Sequence, residues 1–147
     1  MTLYIAIAVS SVVLLWFFVH LKKRQDEVEA NFQSKFADKN IKLLDKTALF
    51  IAQKSDGYSH SRGIGNLVLT DDELYFERRL ITKVLEIPLS SIVEVGETNR
   101  LAGQGLMRPM LKIDFIDRLG ETDTVGIQVK ELALWKEVLS VSIGTTE

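Results

Sequence analysis

The sequence predicts a mainly β domain that ends in a helix, preceded by a transmembrane helix and a charged helical linker. Three observations predict it. Residues 3–21 contain no Asp, Glu, Lys or Arg. From Thr47 the apolar residues alternate with a period of two, and from Lys130 they return to helical spacing. The expected divisions are an anchor at 1–21, a linker at 22–46 and a folded domain at 47–147.

At 1.5 Å per residue, the roughly 19 residues of the first run span about 28 Å, near the hydrocarbon thickness of a bilayer. A cleaved signal peptide needs basic residues before the run and a small-x-small site after it. Here Met1 and Thr2 precede it, Lys22 and Lys23 follow it, and the nearby triplet Ala6, Ile7, Ala8 lies too early. A core helix would show a polar face, whereas Ser10, Ser11 and His20 are the only clearly polar interruptions. A retained anchor is therefore the expectation. Lys22, Lys23 and Arg24 flank its C-terminal end, which places the N-terminus outside the cell membrane and the domain in the cytoplasm. The absence of cysteine excludes disulfides, Cys-based zinc sites and thiol nucleophiles.

Residues 22–46 carry seven Lys/Arg and five Asp/Glu, with no Gly and no Pro. Val28, Phe32, Phe36 and Leu43 fall on one helical face, so a helix continuing from the anchor is expected. The stripe would pack on its own domain, join a second copy or lie along lipid. At about two heptads it is too short for a stable coiled coil.

Seven strands follow, at 48–52, 66–70, 73–78, 84–89, 92–95, 110–115 and 124–129. Asp71 and Asp72 turn the chain between the second and third. Leu74 and Phe76 share one face of the third, with Tyr75 and Glu77 on the other. Pro88 cannot donate to a ladder and ends the fourth strand or leaves it at an edge. Leu111, Ile113 and Phe115 point inward from the sixth, and Val125, Ile127 and Val129 from the seventh. Residues 130–142 place Leu132, Trp135 and Leu139 on one side of a terminal helix. Seven short antiparallel strands and one helix predict a strongly bent sheet or partial barrel with its open end plugged by that helix, and about 100 residues suffice for one such core.

The order of these pieces resembles the pleckstrin-homology-like (PH-like) superfamily, and within it the GRAM and bacterial PH branches. Gly65, Leu67, Leu69 and Thr70 give G-x-L-x-L-T, Leu74 and Phe76 give L-x-F, and Ile87, Pro88, Leu89 and Ile92 give I-P-L-x-x-I, before the helix around Trp135. The resemblance covers residues 47–143. It implies a seven-stranded bent barrel capped by a C-terminal helix, and no catalytic activity. Phosphoinositide-binding members place several Lys/Arg in the first hairpin and the strand after it, where this chain offers Lys54, Arg62 and His60. Residues 47–147 hold eleven Lys/Arg against fifteen Asp/Glu. A net charge of −4 is repelled by an anionic bilayer, so strong phosphoinositide binding has no support.

Two sets of residues are candidates for function. Arg78, Arg79 and Lys83, with Lys54 and Arg62, could form an anion-binding rim; the plain reading is solvated strand ends. Residues 100–109 read as an irregular loop whose Leu101, Leu106 and Met107 could meet a partner or the lipid interface, with Arg100 and Arg108 as its cations; the plain reading is an ordinary flexible loop. Gly103 and Gly105 do not make it a phosphate loop, since no strand-to-helix transition follows. Ser59, His60 and Ser61 do not make a catalytic pair, because neighbours on a strand face opposite ways. The acidic residues read as a solvated face. A net-acidic domain without a basic stripe excludes nucleic acid. No enzyme, metal or cofactor is expected. The leading expectation is a single-pass membrane protein presenting a binding module to a protein partner. Lipid-headgroup sensing and a self-associating scaffold are the alternatives.

Overall fold

The computed structural model describes residues 2–56, 62–79 and 83–144, with the side chains of residues 2, 3 and 6 left out. Two units are distinguished, Met1–Asp38 and Lys39–Glu147.

The first unit is a single helix, α1 (Thr2–Phe36). Residues 2–36 lack Gly and Pro, so nothing in the backbone interrupts it. The Trp16 and His20 rings stack at 5.4 Å, and the Phe32 and Phe36 rings meet at 4.9 Å, both pairs one turn apart. The described large apolar side chains from Tyr4 to Val19 are exposed. Among the described residues no helix is long and apolar enough to cross a membrane. The expected span includes Leu3 and Ala6, whose side chains lie outside the description. From Ile7 the uncharged run reaches only Leu21 before Lys22, about 22 Å of helix, short of the roughly 30 Å needed.

The helical linker expected to reach residue 46 stops at Phe36. A turn at 37–39 breaks it, and β1 (Ile41–Gln53) begins in the stretch read as helical. Leu43, placed by spacing on the stripe of Val28, Phe32 and Phe36, instead packs on the core of the β domain. Lys39 pairs with Glu73 at 2.7 Å and Lys42 with Asp71 at 3.5 Å, tying the start of β1 to the turn between the next two strands.

Those strands are β2 (Gly63–Thr70) and β3 (Glu73–Arg78), followed by β4 (Val84–Pro88), β5 (Ile92–Leu101), β6 (Gln104–Ile116), β7 (Thr122–Gln128) and a helix, α2 (Leu132–Gly144). The seven strands form one antiparallel sheet in the order β4-β3-β2-β1-β7-β6-β5. Its two edge strands are consecutive in the chain, joined by a single 3-10 turn, Leu89–Ser91. So short a link requires the sheet to curl until its edges approach each other.

The concave side holds the main core, which draws Phe50, Leu67, Leu69, Leu74, Phe76, Ile87, Leu111, Ile113, Val125 and Ile127 from the strands. Trp135 and Leu139 of α2 enter the same core, with Leu132, Val138 and Ile143 packed beside them. Burying Leu139 alone contributes about 2 kcal/mol. α2 packs on β5, β6 and the 3-10 turn.

The stretch 100–109, expected as a loop, is the tip of a β5–β6 hairpin. Ala102 (φ 47°) and Gly103 (φ 75°) form a two-residue turn with both φ positive, the twist that suits a hairpin. The tip folds over the convex face of the sheet. Val125 and Ile127 point into the main core, so Gly126 faces the other way, and a Cβ on it would meet Met110 Sδ at 2.5 Å and Leu101 Cδ2 at 3.0 Å. Leu101, Ala102, Leu106 and Met110 join Leu49, Ile51 and Ala52 in a second small core.

Candidate functional site

The basic residues picked out from the sequence reach several separate places. Arg62 donates from Nη2 to Gln104 Oε1 (3.1 Å) and to the Gly105 carbonyl (3.2 Å), latching the start of β2 to the hairpin tip. Arg78 is buried, its stem lying over Gly63 and its guanidinium 5.4 Å from the centre of the Phe50 ring. Lys83 Nζ is 5.6 Å from the centre of the same ring, so two cations share one aromatic ring. Arg79 instead donates to the Lys46 carbonyl at 2.6 Å. Lys54 opens a 3-10 turn after β1, near enough to Asp114 to favour its ionised form. Arg100 is exposed on β5 and Arg108 on β6. His60 falls outside the described residues. Leu101 and Leu106 are half-buried in the second core, whereas Met107 is fully exposed.

Three carboxylates read as solvated are buried: Asp45, Glu77 and Asp123. Tyr75 donates to Glu77 Oε2 at 3.2 Å, and burial together with that carboxylate pushes the phenol upward. Asp123 accepts from Gln53 Nε2 (2.7 Å), from Ser55 N–H and Oγ (3.0 and 2.7 Å), and from Thr124 N–H (2.8 Å). Burial alone raises its pKa, but these donors outweigh burial and hold it below the usual carboxylate value. Asp114 is likewise pushed up by burial but lowered further by Thr124 and Lys112.

Asp45 builds the most distinctive site. β1 bulges between Asp45 and Ala48. Asp45 Oδ1 accepts from Thr47 N–H (2.8 Å) and Thr47 Oγ1 (3.0 Å), while Oδ2 accepts from Lys130 N–H (3.1 Å) ahead of α2. One buried carboxylate thus fixes the bulge and clamps it to the turn that ends β7.

Beside this clamp lies a groove of about 550 Å³. It exists because β7, with seven residues, stops short of its 13-residue neighbours β1 and β6. The last pairs of β7 are Leu49 with Gln128 on one side and Leu111 with Ile127 on the other. Beyond them the chain turns into α2, and Pro109 has no N–H to offer across the gap. Leu49, Pro109, Val129 and Leu132 supply apolar walls; Thr47, Gln128, Arg108 and Lys130 supply the polar groups. Among the described residues no carboxylate lines it. Arg108 and Lys130 are exposed and make no ion pair among the described residues. A smaller hollow of about 340 Å³ adjoins it through Thr47 and Lys130, adding Lys46, with Asp45 and Glu131 as its acids. Arg79, held on the Lys46 carbonyl, extends the same basic line. Two of the four cations, Arg79 and Arg108, were legible as candidates; Lys46 and Lys130 were missed, because 84 positions of sequence separate them.

A second groove, about 620 Å³, is lined by Val84 and Leu85 of β4 and by Ile116 and Leu119 around the end of β6. Its charges are mixed, and Arg118 reaches Glu86 across it at 3.9 Å. Among the described residues no group of three or more His, Cys, Asp or Glu is placed to hold a metal.

No family model matches the sequence, and no curated protein is similar to it. Solved structures are similar in fold. One is the C-terminal domain of an unknown protein from Leishmania infantum, with a TM-score of 0.55 and 12% identity, covering 80% of this chain and 99% of that one. Another is a chain of the 8S snRNP assembly intermediate, with a TM-score of 0.51 and 9% identity, covering 71% of this chain and 80% of that one. At these identities the likeness concerns the fold alone. The domain is a seven-stranded antiparallel sheet with a C-terminal helix, PH-like in general shape.

Proposed function

We propose that this chain is a membrane-tethered binding module whose PH-like domain docks a protein partner on the cytoplasmic side of the cell membrane. The observation that carries the docking is the groove at the end of β7, apolar along its walls and cationic at Arg108 and Lys130. Pockets that combine apolar walls with a few placed polar groups are the usual form of a binding site. Burying Arg108 and Lys130 against complementary groups would give orientation, and covering Leu49, Val129 and Leu132 would give affinity.

α1 is the proposed tether. Its exposed apolar side chains include Leu14, Leu15, Trp16 and Phe17, and Lys22, Lys23 and Arg24 follow in the orientation that keeps the domain inside. Ser11 returns its hydroxyl to the Ile7 carbonyl at 2.8 Å, which suits a helix in an apolar medium. With Leu3 counted, the uncharged run is about 28 Å long.

The same cations suit a lipid headgroup, and one experiment separates the two readings. A photo-crosslinking amino acid replaces Gln128 in the full chain in its native membrane. A discrete protein adduct, missing when the crosslinker replaces exposed Leu119, supports docking. Adducts to lipid alone, or none, refute it.

A further inference from the structure

Resting on that reading, we infer that the groove takes an acidic, extended segment of the partner, with carboxylates on Arg108 and Lys130 and apolar side chains between them. Three features point to this occupant. First, the charge is local and contrary to its surroundings. Residues 47–147 carry more Asp/Glu than Lys/Arg, yet among the described residues no carboxylate lines the groove. Asp45 and Glu131 line only the adjoining hollow, and both Asp45 oxygens are occupied by Thr47 and Lys130 donors.

Second, β1 outruns β7 beside the groove. β7 is the strand between β1 and β6, and its pairing with β1 ends at Leu49 and Gln128. Residues 41–45 of β1 pair with β2 and not with β7. An extended peptide can add its backbone to such a strand side, whereas a helix, whose backbone hydrogen bonds close within itself, cannot.

Third, a peptide is favoured over a membrane surface. A flat anionic bilayer would meet the field of the whole net-negative domain, whereas a narrow acidic segment meets mainly the groove's cations. Arg offers a planar fork and Lys a compact point charge, and both donate to a carboxylate. Alternating acidic and apolar residues would present one kind to the cations and the other to Leu49, Val129 and Leu132.

The test uses the full chain in nanodiscs of neutral lipid. The probe is a fluorescent hexapeptide of alternating aspartate and leucine, with a lysine–leucine hexapeptide as its counterpart. The acidic probe should bind and lose about tenfold in affinity to the double variant R108E/K130E. It should also weaken as added salt shortens the screening length from about 10 Å to about 3 Å. The variant should prefer the lysine–leucine probe. Equal affinity of the acidic probe for both proteins, or stronger binding of the parent to phosphatidylserine vesicles than to the peptide, overturns the inference. If R108E/K130E loses its β-sheet signal, R108Q/K130Q takes its place. The crosslink at Gln128 keeps the two levels apart. A protein adduct that survives R108E/K130E overturns the acidic chemistry and leaves partner docking standing. The absence of any adduct in both proteins removes docking as well.

Discussion

Replacing Asp45 should measure how far one carboxylate holds the β1 bulge against the end of β7. Asp45→Ala removes the acceptor of three hydrogen bonds, two from Thr47 and one from Lys130. Bonds to a charged acceptor are worth about 1.5–3 kcal/mol each when the freed donors stay dry. Thr47 and Lys130 are exposed, so water reaches their donors, and about 1 kcal/mol per bond is the better figure. The expected total is about 3 kcal/mol, or about 12 °C in Tm for a domain of this size. Asp45→Asn keeps an oxygen for Thr47 but cannot accept from Lys130 N–H, so it should lose about 1 kcal/mol and about 4 °C. The assay is thermal unfolding of the full chain in mild detergent, followed by the β-sheet circular dichroism signal. The order parent, Asn, Ala is the essential result. An Asn variant as damaged as Ala, or an Ala variant within about 2 °C of the parent, would refute the clamp.

Three further outcomes are expected. Trp135→Ala removes the largest α2 side chain from the main core and should cost about 3–5 kcal/mol, read as an earlier midpoint in urea with little change in slope. Gly126→Val puts a branched side chain where Met110 Sδ and Leu101 now lie, and should lift the hairpin tip, seen as faster protease cleavage near Met107 while the main core keeps most of its stability. Asp114 and Asp123 have folded pKa values below the unfolded value near 3.9, so the stability they contribute is present above that pH and lost as pH falls through the lower folded values. The Tm deficit of Asp123→Asn should therefore be full at pH 7 and shrink below about pH 4; a constant deficit would contradict the role of its charge.

The strands with clean alternation were legible: β3, β4, β7 and the core-facing half of β6 lie within a few residues of their expected places, as does α2. Residues 41–46 were misread because Leu43 happens to continue the spacing of Val28, Phe32 and Phe36. The turn at 37–39 that breaks the helix contains neither Gly nor Pro. The hairpin tip was misread because its turn places Ala102, not Asn or Asp, at positive φ. Leu101 and Leu106 looked available to a partner because nothing local reveals that Gly126 leaves room for the tip to fold back. The groove was the least visible feature, since it depends on where β7 stops and on a hydrogen bond between Asp45 and Lys130. Periodicity locates elements, but it does not say which distant ends they bring together.

The central position of β1 has a consequence for biosynthesis. This strand emerges from the ribosome before the other six, and it pairs with β2 almost at once. Its opposite side, from Leu49 to Gln53, finds its mate in residues 125–128 only after the other five strands have been made. Until then the nascent chain exposes an uncovered ladder, a state that long-range pairing prolongs and that invites aggregation. Chains truncated before Thr122 should therefore depend heavily on chaperones, and the emergence of β7 should be the moment at which the sheet becomes whole.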